Sequence, residues 1–329
     1  MTSGAPNGRA FPGISAELAA RLGPLHRGKV RDVIDLGDRL ALVATDRLSA
    51  FDRVLGLVPH RGQILNQLSA WWFERLGDIV PSHLLAVVDP NVAIVEKCEP
   101  LPVEVVVRSM LTGTTSTSLW TRYEAGERRI YGIDFPDGMA KNDPLPRPVI
   151  TPTTKARSGH DEPLSEAQVV SEGWADAERW EEVHSVALGL FERGRRVAAG
   201  AGLVLVDTKY EFGVDSGDRL VLIDEVHTPD SSRLWRLATI ESRRREGLEP
   251  ENLDKEIVRL AYAAGGYRGE GVPEPLSPSL AAETEAAYRQ VFEALTGAPL
   301  RPARYPAEPR IAAALGALAH ARRAPSGAR

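Results

Sequence analysis

Apolar residues run along this chain in two alternating rhythms, and the changes of rhythm outline most of its elements. Two apolar runs, at 30–36 and 40–44, flank Gly37-Asp38 and predict a β-hairpin. Ile64, Leu65, Leu68, Trp71, Trp72 and Leu76 then recur at helical spacing, which predicts a helix over 63–76. Short strands are expected at 84–88, 92–96 and 103–108. A long helix is expected over 176–199, where Trp180, Val183, Ala187, Leu190, Phe191 and Val197 make an apolar stripe that ends at Gly200-Ala201-Gly202. A second hairpin is read at 203–213 and 219–226 around Asp215-Ser216-Gly217-Asp218. Further helices are read near 254–264 and 278–295, with Ser277 as a cap and Pro278 in the first turn.

Three stretches lack a rhythm. Residues 1–13 are Gly, Pro and polar and read as a mobile arm. The segment 134–163 is rich in Pro, Gly and Asp; a loop that long is either functional or disordered. Beyond 301 the chain is mostly Ala, Arg and Pro, giving either a short surface helix or nothing stable. The connector Lys97-Cys98-Glu99-Pro100-Leu101-Pro102 is the expected domain boundary. It divides a β-rich subdomain, 1–98, from a larger α+β subdomain, 99–329. Strands and helices follow one another without regular alternation, which indicates an α+β fold rather than a doubly wound parallel sheet.

Composition narrows the function classes. With 329 residues, 43% hydrophobic and 26% charged, the chain reads as a soluble globular protein of about two domains. A net charge of -5 gives no reason to expect nucleic acid or an anionic membrane as partner, but leaves small anionic ligands open. The single cysteine, Cys98, excludes an intrachain disulfide and a multi-cysteine metal site, and with no evident partner base it reads as a buried spectator. No signal-peptide core and no membrane-length apolar run is found, so a cytoplasmic location is expected. Oligomeric state is not encoded legibly.

The P-loop pattern, the dinucleotide glycine fingerprint and His-Glu-x-x-His are all missing. The second hairpin is more informative. Alternation puts Asp207, Lys209 and Glu211 on one strand face, with Leu203 and Leu205 before them on that face. If the hairpin closes symmetrically about Gly217-Asp218, Glu211 lies opposite Asp224, and two carboxylates side by side suit Mg²⁺. The alternative is a solvated Lys–Glu surface pair. On the strand 103–108, Val103, Val105 and Val107 share one face, while Glu104, Val106 and Arg108 share the other. Arg108 therefore needs an acid, which Glu104 could be, or an anionic ligand. The following Thr112-Gly113-Thr114-Thr115-Ser116 could close around a phosphate or carboxylate through backbone N–H groups. Gly28-Lys29-Val30-Arg31 is either an exposed basic turn or an anion site. Lys155, Arg157, His160 and Asp161 are either solvated loop residues or ligand contacts.

In their order these segments resemble the SAICAR synthetase family. The resemblance runs from Gly28-Lys29-Val30-Arg31-Asp32 through Thr45-Asp46-Arg47-Leu48-Ser49-Ala50-Phe51-Asp52 and Leu101-Pro102-Val103-Glu104-Val105-Val106-Val107-Arg108. It continues with Thr112-Gly113, Thr151-Pro152-Thr153-Thr154-Lys155 with His160-Asp161-Glu162, Asp207-Thr208-Lys209-Tyr210-Glu211-Phe212-Gly213 and Asp224-Glu225-Val226, and closes with Thr228-Pro229-Asp230-Ser231-Ser232-Arg233. It implies two α+β subdomains related to ATP-grasp enzymes, with ATP in the cleft between them. It also implies an ATP-dependent ligase that joins L-aspartate to the carboxylate of an aminoimidazole ribonucleotide (CAIR) through an acyl phosphate. Carried over, Gly28, Lys29, Val30 and Arg31 would hold ATP phosphates and Lys97 would border the adenine. Glu211 and Asp224 would ligate Mg²⁺, Glu211 thereby also contacting the nucleotide. Lys209 would face the reacting phosphoryl group, with Asp207 and Arg108 completing the catalytic set. Arg108, Thr114, Asp230, Ser232 and Arg233 would grip the ribonucleotide, and Lys155 and Asp161 would lie at the aspartate end. Thr114 departs from the family's usual serine. The same scaffold with a different acceptor, or a nucleotide-binding regulator without catalysis, are the rival readings; the second should have lost one of Lys209, Glu211 or Asp224, and all three are present.

Overall fold

The computed structural model describes the backbone of residues 9–155 and 161–323, with side chains described through residue 317. Two five-stranded sheets organise it. The first has the order β1-β2-β3-β7-β6, built from β1 (Leu25–Arg27), β2 (Arg31–Asp35), β3 (Arg39–Ala44), β6 (Leu84–Asp89) and β7 (Val92–Glu96), all pairs antiparallel. The predicted first hairpin is β2–β3, turning at Gly37, whose φ of +95° favours glycine. Between β3 and β6 lie a small hairpin, β4 (Arg47–Ala50) and β5 (Arg53–Leu57), and the helix α2 (Arg61–Leu76).

The first sheet cannot bury its outer face alone. Ile34, Val43 and Ile94 pack with Phe11, Ile14 and Leu18 from the chain start, with Ala307, and with Ile311 and Leu315 from the C-terminal helix that follows it, α9 (Glu308–Arg323). Two sequence readings change here. The described part of the expected mobile arm is anchored: Phe11 is buried and its N–H donates to Asp46 Oδ2 at 2.7 Å, leading into α1 (Ala16–Leu22); residues 1–8 lie outside the described residues. The tail beyond 301 forms a helix that is part of the core, because its few apolar residues recur every four positions and share one face.

The second sheet has β11 (Asp143–Thr154), β8 (Glu99–Leu111) and β12 (Leu203–Val214) side by side, with β13 (Leu220–Ile223) and β14 (Ser232–Arg236) sharing the far edge of β12. The expected loop at 134–163 therefore contains a full-length strand. Its prolines interrupt the apolar rhythm, and the register shifts between Pro144 and Val149, so periodicity could not reveal it. Likewise, the 97–102 connector is mostly the start of β8.

One face of this sheet packs on α5 (Ala177–Gly200), which Asp176 caps by accepting from Arg179 N at 2.8 Å. Val103, Val105 and Val107 of β8 lie in this core, as the alternation predicts, with Val183, Leu190 and Phe191 of the helix. Burying each such side chain contributes roughly 1.5–3 kcal/mol. The approach is close: a Cβ at Gly194 would lie 2.4 Å from His227 Cε1. α4 (Glu166–Ser171) precedes α5 and packs on β11. Smaller elements, α3 (Leu119–Glu124) and the hairpin β9 (Arg129–Ile130) and β10 (Ile133–Asp134), form a separate cluster beyond β8. After β14 come α6 (Ile240–Arg245), α7 (Glu256–Ala264) and α8 (Pro278–Thr296). α2 links the halves: its Leu68, Trp72 and Phe73 join the second core, while Ile64 and Leu65 meet Tyr288 of α8. Among the described residues no helix is long and apolar enough to cross a membrane.

Candidate active site

Away from α5, the second sheet presents a face of charged side chains whose positions follow from strand pairing. In β8–β12, Arg108 pairs with Asp207 and Glu104 with Glu211, while Lys209 lies between the two acids. Lys209 Nζ donates to Glu104 Oε1 at 2.7 Å and to Glu211 Oε1 at 2.5 Å, and Lys155, just past β11, donates to Glu211 Oε2. Burial disfavours the Lys209 ammonium, but Glu211 and Glu104 outweigh it and push its pKa up. Burial likewise works against the Glu211 carboxylate; Lys209 and Lys155 overcome it and hold Glu211 well below the usual carboxylate range. For Glu104, burial wins and its pKa is raised despite Lys209. Asp161 lies close enough for its charge to act on Glu104.

One step along the same face, Arg108 Nε donates to Thr151 Oγ1 at 2.8 Å and its NH1 lies 3.7 Å from Asp207 Oδ2. Arg233 of β14 donates to that same Asp207 oxygen from the other side. Arg233 NH2 also reaches Glu256 Oε2 at 3.2 Å, and Thr114 Oγ1 donates to Glu256 Oε1 at 2.7 Å. Burial opposes the Glu256 charge, but Arg233 and then Arg259 lower its pKa to about 2. Arg233 Nε is buried with no partner among the described residues. Ser232 Oγ donates to Thr208 Oγ1 at 2.8 Å.

The first sheet contributes a second set. Arg31 donates to Asp224 and lies 3.1 Å from Glu225 Oε1. His83 sits nearby, kept neutral with a pKa of about 3, chiefly by burial and then by Arg31, while Glu211 pulls the other way. Arg31 of the first sheet and Glu211 of the second thus act on one imidazole with opposite sign. Lys29 is exposed and bonds Asp52 Oδ1 at 2.6 Å; Lys97, also exposed, bonds Asp35 Oδ2 at 2.7 Å.

Several sequence readings need correction. Glu211 does not face Asp224. The hairpin closes about Gly217 with a five-residue loop between Val214 and Leu220, so Glu211 pairs with Ile223, and Asp224 leaves the strand with φ +67°. The cause is Asp215, whose Oδ1 accepts from Gly217 N and Arg219 N and widens the turn. Leu203 and Leu205 do not share the face of Asp207, Lys209 and Glu211 either: a bulge between Leu205 and Asp207 reverses the alternation, and the leucines join Tyr210 and Phe212 in the α5 core. Glu104 serves Lys209 rather than Arg108. Asp230 is withdrawn from the charged face, because Arg61, Lys255 and Tyr288 take up its carboxylate and leave its side chain 3% exposed. Burial pushes the Cys98 thiol up to about 11, in keeping with a spectator, although the residue is only half-buried. Arg157 and His160 lie outside the described residues.

Neither Glu256, which joins the charged face through Arg233 and Thr114, nor Arg61, which closes over Asp230, is legible in the sequence. An acid in the first turn of a helix reads as an ordinary dipole partner, and an arginine at a helix start reads as surface. Among the described residues no group of three or more His, Cys, Asp and Glu gathers as a metal cage. Mg²⁺ needs none, since it takes one or two carboxylates and fills its shell with water and phosphate oxygens. Glu211 and Asp224 fit that use as two separate anions, Glu211 now neutralised by Lys209 and Lys155 and Asp224 by Arg31.

The geometry can be set beside known proteins. A model of the SAICAR synthetase family matches residues 24–272. A phosphoribosylaminoimidazole-succinocarboxamide synthase of Legionella pneumophila is 51% identical over 289 residues, covering 87% of this chain and 92% of that one. A chloroplastic synthase of the same name from Vigna aconitifolia is 50% identical over 250 residues, 75% of this chain and 73% of the relative. Among solved structures, the SAICAR synthase of Saccharomyces cerevisiae in complex with SAICAR superposes with a TM-score of 0.72 at 28% identity, covering 85% of this chain and 96% of that one. A SAICAR synthetase in complex with ADP has the same fold, with a TM-score of 0.65 at 24% identity over 84% of this chain and all of that one.

Proposed function

This chain belongs to the SAICAR synthetase family, and from that premise we propose that it is an ATP-dependent amide-forming ligase of purine biosynthesis, joining L-aspartate to the carboxylate of CAIR to give SAICAR, ADP and phosphate. The observation that carries this reading is the charged face of the second sheet. Lys155, Lys209, Arg108 and Arg233 stand together there, held by carboxylates they can exchange for a substrate's anionic groups.

The chemistry is activation of a poor electrophile followed by capture. The imidazole carboxylate takes the terminal phosphoryl group, with its electron pair forming the new P–O bond as ADP leaves. The amine of aspartate then attacks the acyl phosphate and expels inorganic phosphate. Catalysis of such a sequence rests on positioning and charge neutralisation. In this reading ATP lies in a cleft between subdomains 1–98 and 99–329, in the manner of ATP-grasp enzymes. Gly28, Lys29, Val30 and Arg31 meet its phosphates and Lys97 borders its adenine. Lys209 faces the phosphoryl group in transfer. Arg108, Thr114, Ser232 and Arg233 hold the ribonucleotide, with Asp207 fixing both arginines. Asp230 acts through the loop it anchors, and Lys155 and Asp161 take the aspartate end. Mg²⁺ would be held by Glu211 and Asp224, where it would neutralise phosphate charge. A cytoplasmic location accords with this role.

The test is ADP release with CAIR, aspartate and Mg-ATP, omitting each in turn. ADP and SAICAR formed in equal amounts only when all are present is the expected result. ADP release independent of aspartate, or none at all, overturns the assignment.

A further inference from the structure

The turn Gly28-Lys29-Val30 has an uneven hydrogen-bond pattern. Its three successive carbonyls are all occupied by one neighbouring segment: Arg47 NH2 donates to Gly28 O at 3.0 Å and Arg47 Nε to Lys29 O at 3.2 Å. Thr45 donates twice to Val30 O, from its N–H at 3.1 Å and from Oγ1 at 2.7 Å. Of the turn's amides, Gly28 N donates to Arg31 O at 2.8 Å, whereas no hydrogen bond from the N–H of Lys29 or of Val30 occurs among the described residues. A backbone whose carbonyls all face one way turns its free amides the other, and successive free amides make an anion-binding concavity.

Thr45 and Arg47 are themselves held firmly. Thr45 is fully buried, and its own carbonyl accepts from Arg61 NH1 at 3.1 Å. Arg47 also bonds the fully buried Asp32 through NH2 at 2.8 Å and Pro12 O through NH1, so every guanidinium nitrogen is engaged. The segment even reaches the turn's side chain, since Lys29 rests on Asp52.

We infer that Thr45 and Arg47 are positioning residues that fix the Gly28–Arg31 turn with its free amides toward the nucleotide phosphates, so that the anion site is built before the nucleotide arrives. Neither touches the nucleotide; they act through the three carbonyls. This rests on the nucleotide-binding reading above, and the test separates the two.

The measurement is ADP affinity by titration calorimetry, with no turnover required, on the wild type, Thr45→Val and Arg47→Lys, with thermal unfolding alongside. Thr45→Val removes one hydroxyl and keeps every charge. Arg47→Lys keeps the charge beside Asp32 and loses the fork that spans two carbonyls. Weakening of ADP on the order of tenfold in Arg47→Lys and severalfold in Thr45→Val is expected, because a small misplacement of a preorganised site is expensive. KM for the ribonucleotide should move less than about twofold, consistent with action confined to the turn. Thr45→Ser should restore wild-type affinity. If the variants bind ADP as the wild type does while melting lower, the two residues serve the fold alone and the inference is overturned. If the wild type itself binds no ADP, the nucleotide reading fails first and takes this inference with it.

Discussion

Two clusters of buried charge in this molecule share their electrostatics and differ in what they leave open. Around Asp230, Arg61 donates through Nε at 3.2 Å and NH2 at 2.6 Å, Lys255 at 2.9 Å and Tyr288 OH at 2.7 Å. Around Glu211, Lys209 and Lys155 do the same work. In both, burial opposes the carboxylate charge and neighbouring cations overcome it, leaving Asp230 and Glu211 each below the usual range. The shift in pKa therefore does not tell them apart. Exposure does: Arg61 is 1% exposed, whereas Lys209 and Lys155 keep 32% and 36% of their side chains in contact with solvent. A closed cluster can only hold elements together, here α2 against α8 and the loop before β14. An open one can trade partners with a ligand.

That contrast can be broken most forcefully at Arg61. Arg61→Met leaves the buried Asp230 with only Lys255 and Tyr288 and should cost about 3 kcal/mol of stability by urea unfolding; a loss below about 1 kcal/mol would mean that the closed cluster is not what joins the halves. Lys209→Met should lower kcat by about 10²–10³, or roughly 2.7–4 kcal/mol of transition-state stabilisation, with much less loss of stability. Unchanged turnover would make the open cluster a mere surface network. Arg233→Ala should raise KM for the ribonucleotide roughly ten- to a hundredfold and KM for ATP far less; equal effects on both would misplace that arginine.

The smallest effect concerns Asp254, beside Arg233. Burial raises its pKa to about 7, against the pull of Arg233. The folded state thus keeps a proton that the unfolded chain loses near pH 4. This contribution to stability is complete below that value and is lost as pH rises to about 7. Asp254→Asn should flatten the fall in unfolding free energy between pH 5 and 7, and an unchanged slope would assign that fall elsewhere.

Where residues declare themselves by period, the sequence was legible. The α5 stripe, the β2–β3 hairpin and the valine face of β8 follow from alternation or helical spacing. The family and its charged segments followed from motif order. What failed depended on one-residue offsets: the five-residue turn at Asp215 and the bulge after Leu205 each shift a face, and neither leaves a mark in hydropathy. Partners across the fold were equally hidden. Nothing in sequence links Arg61 to Asp230, Glu256 to Arg233, or Thr45 to the carbonyl of Val30.

The return of α9 to the first sheet also bears on how the protein is made. Strands ending at Glu96 wait for Ile311 and Leu315 to cover them, and Tyr305 must reach back to give Asp46 its 2.5 Å hydrogen bond. On the ribosome, more than two hundred residues separate the emergence of that sheet from the emergence of its cover. The second sheet and α5 are complete well before then, so the half synthesised first is the half that finishes last.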